Sequence, residues 1–150
     1  MKLVDADILS YALHENHIAS RYVKHVIEEG LSGKLKIYVT TTTLLETYNT
    51  LYWFYKVRPR RDVALKISLV AYGLEVLSPS LDGFKMVVED NVPLGDALLV
   101  ATALENNIST IISNDHNIGK LYRKYGLEYE NPIPDEVRKI WENSIESNEI

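Results

Sequence analysis

The chain has no cysteine among its 150 residues. Disulfide scaffolds, thiolate zinc sites, iron–sulfur clusters and cysteine nucleophiles are thereby excluded. Phenylalanine occurs only twice, against ten tyrosines. That balance suits half-buried surfaces and interfaces better than a dry core. Proline (5) and glycine (7) are sparse, and no repeat, linker or low-complexity stretch interrupts the sequence. No apolar run approaches the ~18 residues of a membrane span. The N-terminus reaches an acid, Asp5, after two apolar residues, so a signal-peptide core is not expected there. These absences lead us to expect a soluble, cytoplasmic protein with no membrane partner. The net charge of −5, from 16 Lys+Arg against 21 Asp+Glu, argues against gripping nucleic acid by bulk charge. It leaves room for acids gathered at a metal site with bases beside them. Length and a 46% hydrophobic content fit a single domain over 1–150, with the tail beyond about 132 peripheral.

What is present alternates between two patterns. Short β-branched or apolar runs at Leu3-Val4, Ile37 to Thr40, Leu74 to Leu77, Thr110 to Ser113 and Leu127 to Tyr129 read as strands. Between them lie helical spacings: Ile8 to Leu13; Ile18 to Ile27 with Gly30 as a stop; Leu44 to Val57, broken before Pro59; and Val63 to Tyr72. Further helices are expected over Leu81 to Glu89, Leu94 to Asn106, Ile118 to Tyr125 and Glu136 to Glu142. The alternation predicts an α/β fold: a three-layer α/β/α arrangement around a mostly parallel sheet of four or five strands. In such sheets ligands bind beyond the carboxyl ends of the strands.

Carboxylates occupy those positions. Asp5 and Asp7 follow the first strand, Glu46 opens the helix after the second, Asp96 opens the helix leading to the fourth, and Asp115 follows the fourth. Each also has a local explanation. Asp5 or Asp7 caps the helix near Ile8. Thr43 and Glu46 form a capping box. Asp96 favours the helix dipole, and Asp115 is a turn acid. Capping does not explain why all lie on one side of the sheet, nor why Asp96 borders the apolar run Ala97, Leu98, Leu99. Clustered carboxylates repel and raise one another's pKa values, and a divalent cation relieves the repulsion. All-oxygen ligands select Mg2+ or Mn2+. Three or four acids can hold two such ions, activating a water and stabilising the leaving oxygen of a phosphoryl displacement.

These residues resemble a known family. Leu3-Val4-Asp5-Ala6-Asp7-Ile8-Leu9 is similar to the strand and "D-T-N-x-L" opening of the PIN domain, a metal-dependent ribonuclease fold common among type II toxins of the VapC group. Thr41-Thr42-Thr43-Leu44-Leu45-Glu46 is similar to its second motif. Gly95-Asp96-Ala97-Leu98-Leu99-Val100-Ala101-Thr102-Ala103 is similar to its third, "D-A-x-x-x-A-x-A", and Ser113-Asn114-Asp115 to its fourth, "T-x-D". The resemblance implies that Asp5, Glu46, Asp96 and Asp115 are catalytic metal-binding acids holding one or two Mg2+ or Mn2+ ions. It also implies RNA as substrate, a homodimer and an antitoxin partner. Ala6 departs from the usual Thr, Asp7 stands where Asn or Ser is common, and Ser113 replaces Thr. Asp7, Ser113 and Asn114 are expected to support the acids, with Asp7 also available as a ligand.

Several features keep two readings. The basic cluster Lys56 to Arg61, with Arg58, Arg60 and Arg61, either holds RNA phosphates or is a solvated turn. Tyr48, Tyr52, Trp53 and Tyr55 either stack on bases or form packing or a dimer seam, the second being favoured. His14 and His17 read as surface, His116 as a turn residue beside Asp115, and 142–149 as a frayed acidic tail. Two other functions compete. Asp5-Ala6-Asp7 mimics the D-x-D of a haloacid-dehalogenase-type phosphatase with Asp5 as nucleophile, although Leu9 stands where Thr or Val is needed. A non-catalytic protein-binding module on the same fold is the third reading, disfavoured by four intact acids.

Overall fold

The computed structural model describes residues 1–115 and 119–148, apart from the side chains of 119–120 and 142–148. Five short strands, β1 (Lys2–Val4), β2 (Ile37–Thr40), β3 (Glu75–Leu77), β4 (Thr110–Ile112) and β5 (Glu128–Glu130), form one sheet in the order β3-β2-β1-β4-β5. Every pairing is parallel. Parallel neighbours need crossovers, and helices supply them. Helices α1 (Ala6–Leu13) and α2 (Ser20–Leu31) join β1 to β2. Helix α3 (Thr41–Asn49), a π-helical turn (Thr50–Phe54) and α4 (Arg60–Gly73) join β2 to β3. Helices α5 (Asp82–Asp90) and α6 (Leu94–Glu105) lead to β4, α7 (Gly119–Lys124) to β5, and α8 (Asp135–Asn148) follows. The expected three-layer α/β/α fold is present, with five strands.

The strand period of two splits the core between the faces of the sheet. Val4, Ile37, Val39 and Ile112 pack with Ile8, Leu9, Val23 and Ile27 from α1 and α2. Leu3 and Ile111 pack with Val100 and Ala103 of α6 and Leu121 and Tyr122 of α7. A satellite cluster of Leu51, Val63 and Ile67 holds the α3–α4 arm together. Each fully buried aliphatic side chain contributes ~1.5–3 kcal/mol.

Four expectations need correcting. Helix α3 begins at Thr41, because Thr40, the last strand residue, is its N-cap and accepts the Thr43 N–H at 3.0 Å. The Thr43–Glu46 capping box therefore does not form, and Glu46 is left for other work. The expected continuous helix over 44–57 also changes character at Thr50, where Tyr55 N–H reaches back five residues to the Thr50 carbonyl at 3.0 Å. Gly30 lies inside α2, and Gly33, at φ +80°, takes the left-handed turn beyond it. Finally, the segment beyond 132 is not peripheral: Ile133 and Val137 are buried in the core beneath α1 and α2. Helix α8 runs on to Asn148, where a frayed tail was expected. Residue 118, the expected start of the seventh helix, and His116 lie outside the described residues.

Candidate active site

β1 is the central strand. The chain leaves it toward β2 on one side and returns as β4 on the other. The crevice of such a sheet opens where the winding direction reverses, here between the carboxyl ends of β1 and β4. In register, Val4 faces Ile112, so Asp5 and Ser113 are the first residues past the paired strands. The Asp5 N–H donates to the Ile112 carbonyl at 2.9 Å, carrying the ladder one step further.

Asp5 both caps α1 and faces the crevice. Its Oδ1 accepts the Ala6 N–H at 2.7 Å and its Oδ2 accepts the Ser113 hydroxyl at 2.8 Å. Ser113 is fully buried, and its Oγ also accepts the Asp115 N–H at 3.1 Å. One hydroxyl thus ties the carboxylate ending β1 to the backbone that presents Asp115. Asp7 makes a second tie: Oδ1 accepts Ile8 N–H at 2.7 Å and Oδ2 accepts Asn114 N–H at 2.9 Å. Asn114 is held in turn by Asn131 Nδ2, which donates to its Oδ1 at 2.9 Å.

Glu46 and Asp96 arrive from the helices. Gly95, just before Asp96, lies beside Glu46: a Cβ there would stand 3.3 Å from Glu46 Oε1. Asp96 sits in the first turn of α6, while Ala97, Leu99 and Val100 behind it are buried. Together Asp5, Asp7, Glu46, Asp96 and Asp115 line a cleft of 450 Å³, with Ser10, Tyr11, Thr50, Phe54 and Tyr55 completing the wall.

Asp5, Asp7, Glu46 and Asp96 hold their protons more tightly than free carboxyls do. Burial, then the charges of Asp115, Asp5 and Glu46, push Asp96 up to about 7. Burial and then Asp5 raise Glu46. Asp7 is raised well above the usual range by burial and Asp5, and Asp5 is raised by burial against the pull of its Ser113 and Ala6 hydrogen bonds. Such a cleft stabilises a bound cation by supplying charge that otherwise repels itself. The donors are all oxygen, which fits a hard divalent ion. Among the described residues, no three His, Asp or Glu side chains close into a ready cage. The acids ring the cleft instead, as suits an ion held by one or two carboxylates with water and substrate oxygens completing its shell.

Residues 2–124 match the sequence profile of the PIN domain. The chain belongs to the PIN domain family. The fold is shared with a number of solved structures. The Mycobacterium tuberculosis toxin VapC20, described as cleaving the sarcin–ricin loop, superposes with a TM-score of 0.64 at 14% identity, over 85% of this chain and 96% of that one. VapBC2 from Rickettsia felis, bound to a promoter DNA fragment, gives 0.62 at 17% identity over 87% and 97%. VapBC-1 from nontypeable Haemophilus influenzae gives 0.57 at 17% identity over 87% and 97%. A search of curated protein sequences finds no match.

The PIN fold places the other expected residues less simply. Arg58 packs its guanidinium over the Tyr52 ring at 3.8 Å and donates to the Tyr52 and Val57 carbonyls. Arg60 lies over the same ring at 4.9 Å and donates to the Tyr52 hydroxyl. Tyr52 in turn stacks on Tyr48 at 5.7 Å. Two of the three arginines therefore brace the arm, and Arg61 is exposed. His14 and His17, read as surface, are half-buried. His17 stacks on Tyr11 at 4.5 Å and meets Trp141 edge-on at 5.2 Å; His14 lies 4.7 Å from Tyr55. The aromatic part of the wall, Tyr11, Phe54 and Tyr55, was missed as site residues, although Tyr55 was singled out for packing. Spacing from Glu46 would have pointed to Thr50, four residues on, but not to Phe54, whose place depends on the π-helical turn.

Proposed function

We propose that this PIN domain is a Mg2+- or Mn2+-dependent endoribonuclease that hydrolyses RNA phosphodiester bonds and acts as the toxin of a toxin–antitoxin pair. The observation that carries this reading is the convergence of Asp5, Glu46, Asp96 and Asp115, from four distant segments, on one cleft at the carboxyl edge of the sheet. Family membership sets aside the phosphatase reading.

Asp5, Glu46, Asp96 and Asp115 would hold one or two divalent ions. When bound, such an ion lowers the pKa of a coordinated water and offsets phosphate charge. The chain's own contribution is positional. Ser113 fixes the rotamer of Asp5 and the backbone of Asp115 together. Asp7 keeps the Asn114 peptide in place, so that the two strand ends present their acids as a unit. Ala97, Leu99 and Val100 keep the floor behind Asp96 dry, which strengthens every electrostatic contact made above it.

Membership of the VapC-like fold group supports an antitoxin partner, since two structural neighbours are VapBC assemblies. Homodimerisation is proposed from α4, which exposes Leu65, Leu69 and Tyr72 at four- and three-residue spacing along one stripe. RNA contact by Arg61 beside the braced Arg58 and Arg60 is part of the same proposal.

The test is incubation of purified protein with RNA in Mg2+ or Mn2+, with and without chelator, beside the Asp96→Asn variant. Metal-dependent cleavage lost on substitution supports the reading. Wild-type cleavage rates in Asp96→Asn overturn it. Turnover of p-nitrophenyl phosphate blocked by Asp5→Asn would restore the phosphatase.

A further inference from the structure

Phe54 is one of only two phenylalanines in the chain, and it is 68% exposed while lining the cleft. It stands in water on the same wall as the carboxylates. Glu46, Thr50 and Phe54 all reach the cleft, at steps of four residues. In a continuous α-helix each such step overshoots one turn by ~40°, so Phe54 would stand ~80° around the axis from Glu46. The wider π-helical turn over Thr50–Phe54 takes that drift back. Phe54 returns to the line of Glu46 and faces the same opening.

The ring is also held from behind. Tyr55 meets it edge-on at 4.9 Å, and Tyr55 is itself packed against His14 at 4.7 Å and His17 at 5.6 Å. Trp141 and Tyr11 close the cluster around His17. Phe54 is thus largely exposed, with Tyr55 its one partner ring among the described residues. An acidic wall takes a phosphate only through a cation, whereas a neutral aromatic face takes a neutral planar group directly. The two surfaces share one cleft.

We infer that Phe54 is a stacking platform for an unpaired nucleobase next to the scissile phosphate. This rests on the ribonuclease reading above and adds a substrate feature to it. Base–aromatic stacking is tolerant of base identity, so the platform adds affinity without sequence preference.

The experiment uses a short unstructured RNA carrying 2-aminopurine, and the same sequence annealed to its complement. Binding is measured with Asp96→Asn and with Asp96→Asn/Phe54→Ala. Cleavage is measured with the wild type, Phe54→Ala, Phe54→Leu and Phe54→Trp. The expected results are quenching of 2-aminopurine fluorescence that disappears with Phe54→Ala, and single-strand affinity weakened roughly tenfold or more. The salt dependence of binding should be unchanged, because no phosphate contact is removed. Phe54→Trp should retain activity and Phe54→Leu should not. Because the ring is exposed, unchanged Tm values will show that the variants fold. If the wild type cuts RNA and Phe54→Ala binds and cuts equally well, stacking is overturned while the nuclease reading stands. The same holds if Phe54→Ala loses only association with a protein partner. If the wild type neither binds nor cuts RNA in Mn2+, the nuclease reading fails and this inference with it.

Discussion

Replacing Asp96 by Asn should destroy cleavage and, in the absence of metal, make the protein more stable. Asp96 is pushed up to about 7, first by burial and then by three neighbouring acids, from an ordinary value of 3.8. A carboxyl whose folded-state pKa is raised favours the folded protein when protonated. That advantage is complete below its unfolded value and is lost as pH rises toward 7. At ~1.4 kcal/mol per tenfold change in proton affinity, the full effect would be ~4 kcal/mol. The side chain is half open to solvent, so screening reduces this to ~1–2 kcal/mol. Asn has no charge to lose. Asp96→Asn should therefore gain about 1–2 kcal/mol at pH 8, or about 2–8 °C in Tm for a domain of this size. The gain should shrink steadily as pH falls from 7 toward 4. Urea or thermal unfolding in chelator at pH 8 and pH 4.5 measures it. Adding Mn2+ at pH 8 should reverse the order, stabilising the wild type more than the variant. An equal gain at both pH values, or none at either, would refute the charge-cluster argument. So would equal stabilisation of both proteins by Mn2+.

Two other predictions test how the site is held. Ser113→Ala removes the hydroxyl that Asp5 and the Asp115 N–H share. It should cost ~1–3 kcal/mol by urea unfolding, because buried partners are left unpaired, and should weaken Mn2+ binding in calorimetry. Thr40→Ala removes the cap on α3 and should cost about 1 kcal/mol, whereas Glu46→Ala, which would abolish a Thr43–Glu46 capping box, should not cost the helix its cap; equal losses would restore the capping box.

The fold was legible because its elements carry periodic signals. Leu3-Val4 and Ile111-Ile112 are buried on both faces, as are Ile37 and Val39 in β2, and a strand sandwiched between helix layers is rich in apolar residues. The positions of Asp5, Glu46, Asp96 and Asp115 along the chain were also legible, since an acid just past an apolar strand or in an early helical turn stands out against its neighbours. Their local alternatives were not decided there. Thr43 and Glu46 have the spacing of a capping box, and only the direct passage of β2 into α3 shows that Thr40 holds the cap. The tail misled for a related reason: Ile133 and Val137 lie in a charged, proline-flanked stretch, and their burial depends on the face that α1 and α2 leave open.

By itself the sequence determined that an α/β sheet would form and which carboxylates would stand at its edge, because periodicity and residue type are local properties. Tertiary structure decided the strand order β3-β2-β1-β4-β5, which sets the crevice between β1 and β4. It also decided the ties from Ser113 to Asp5 and from Asp7 to Asn114, and the π-helical turn that brings Phe54 into the cleft. Those features join residues up to 108 positions apart or depend on how a helix is wound against its neighbours, and no window of sequence contains them.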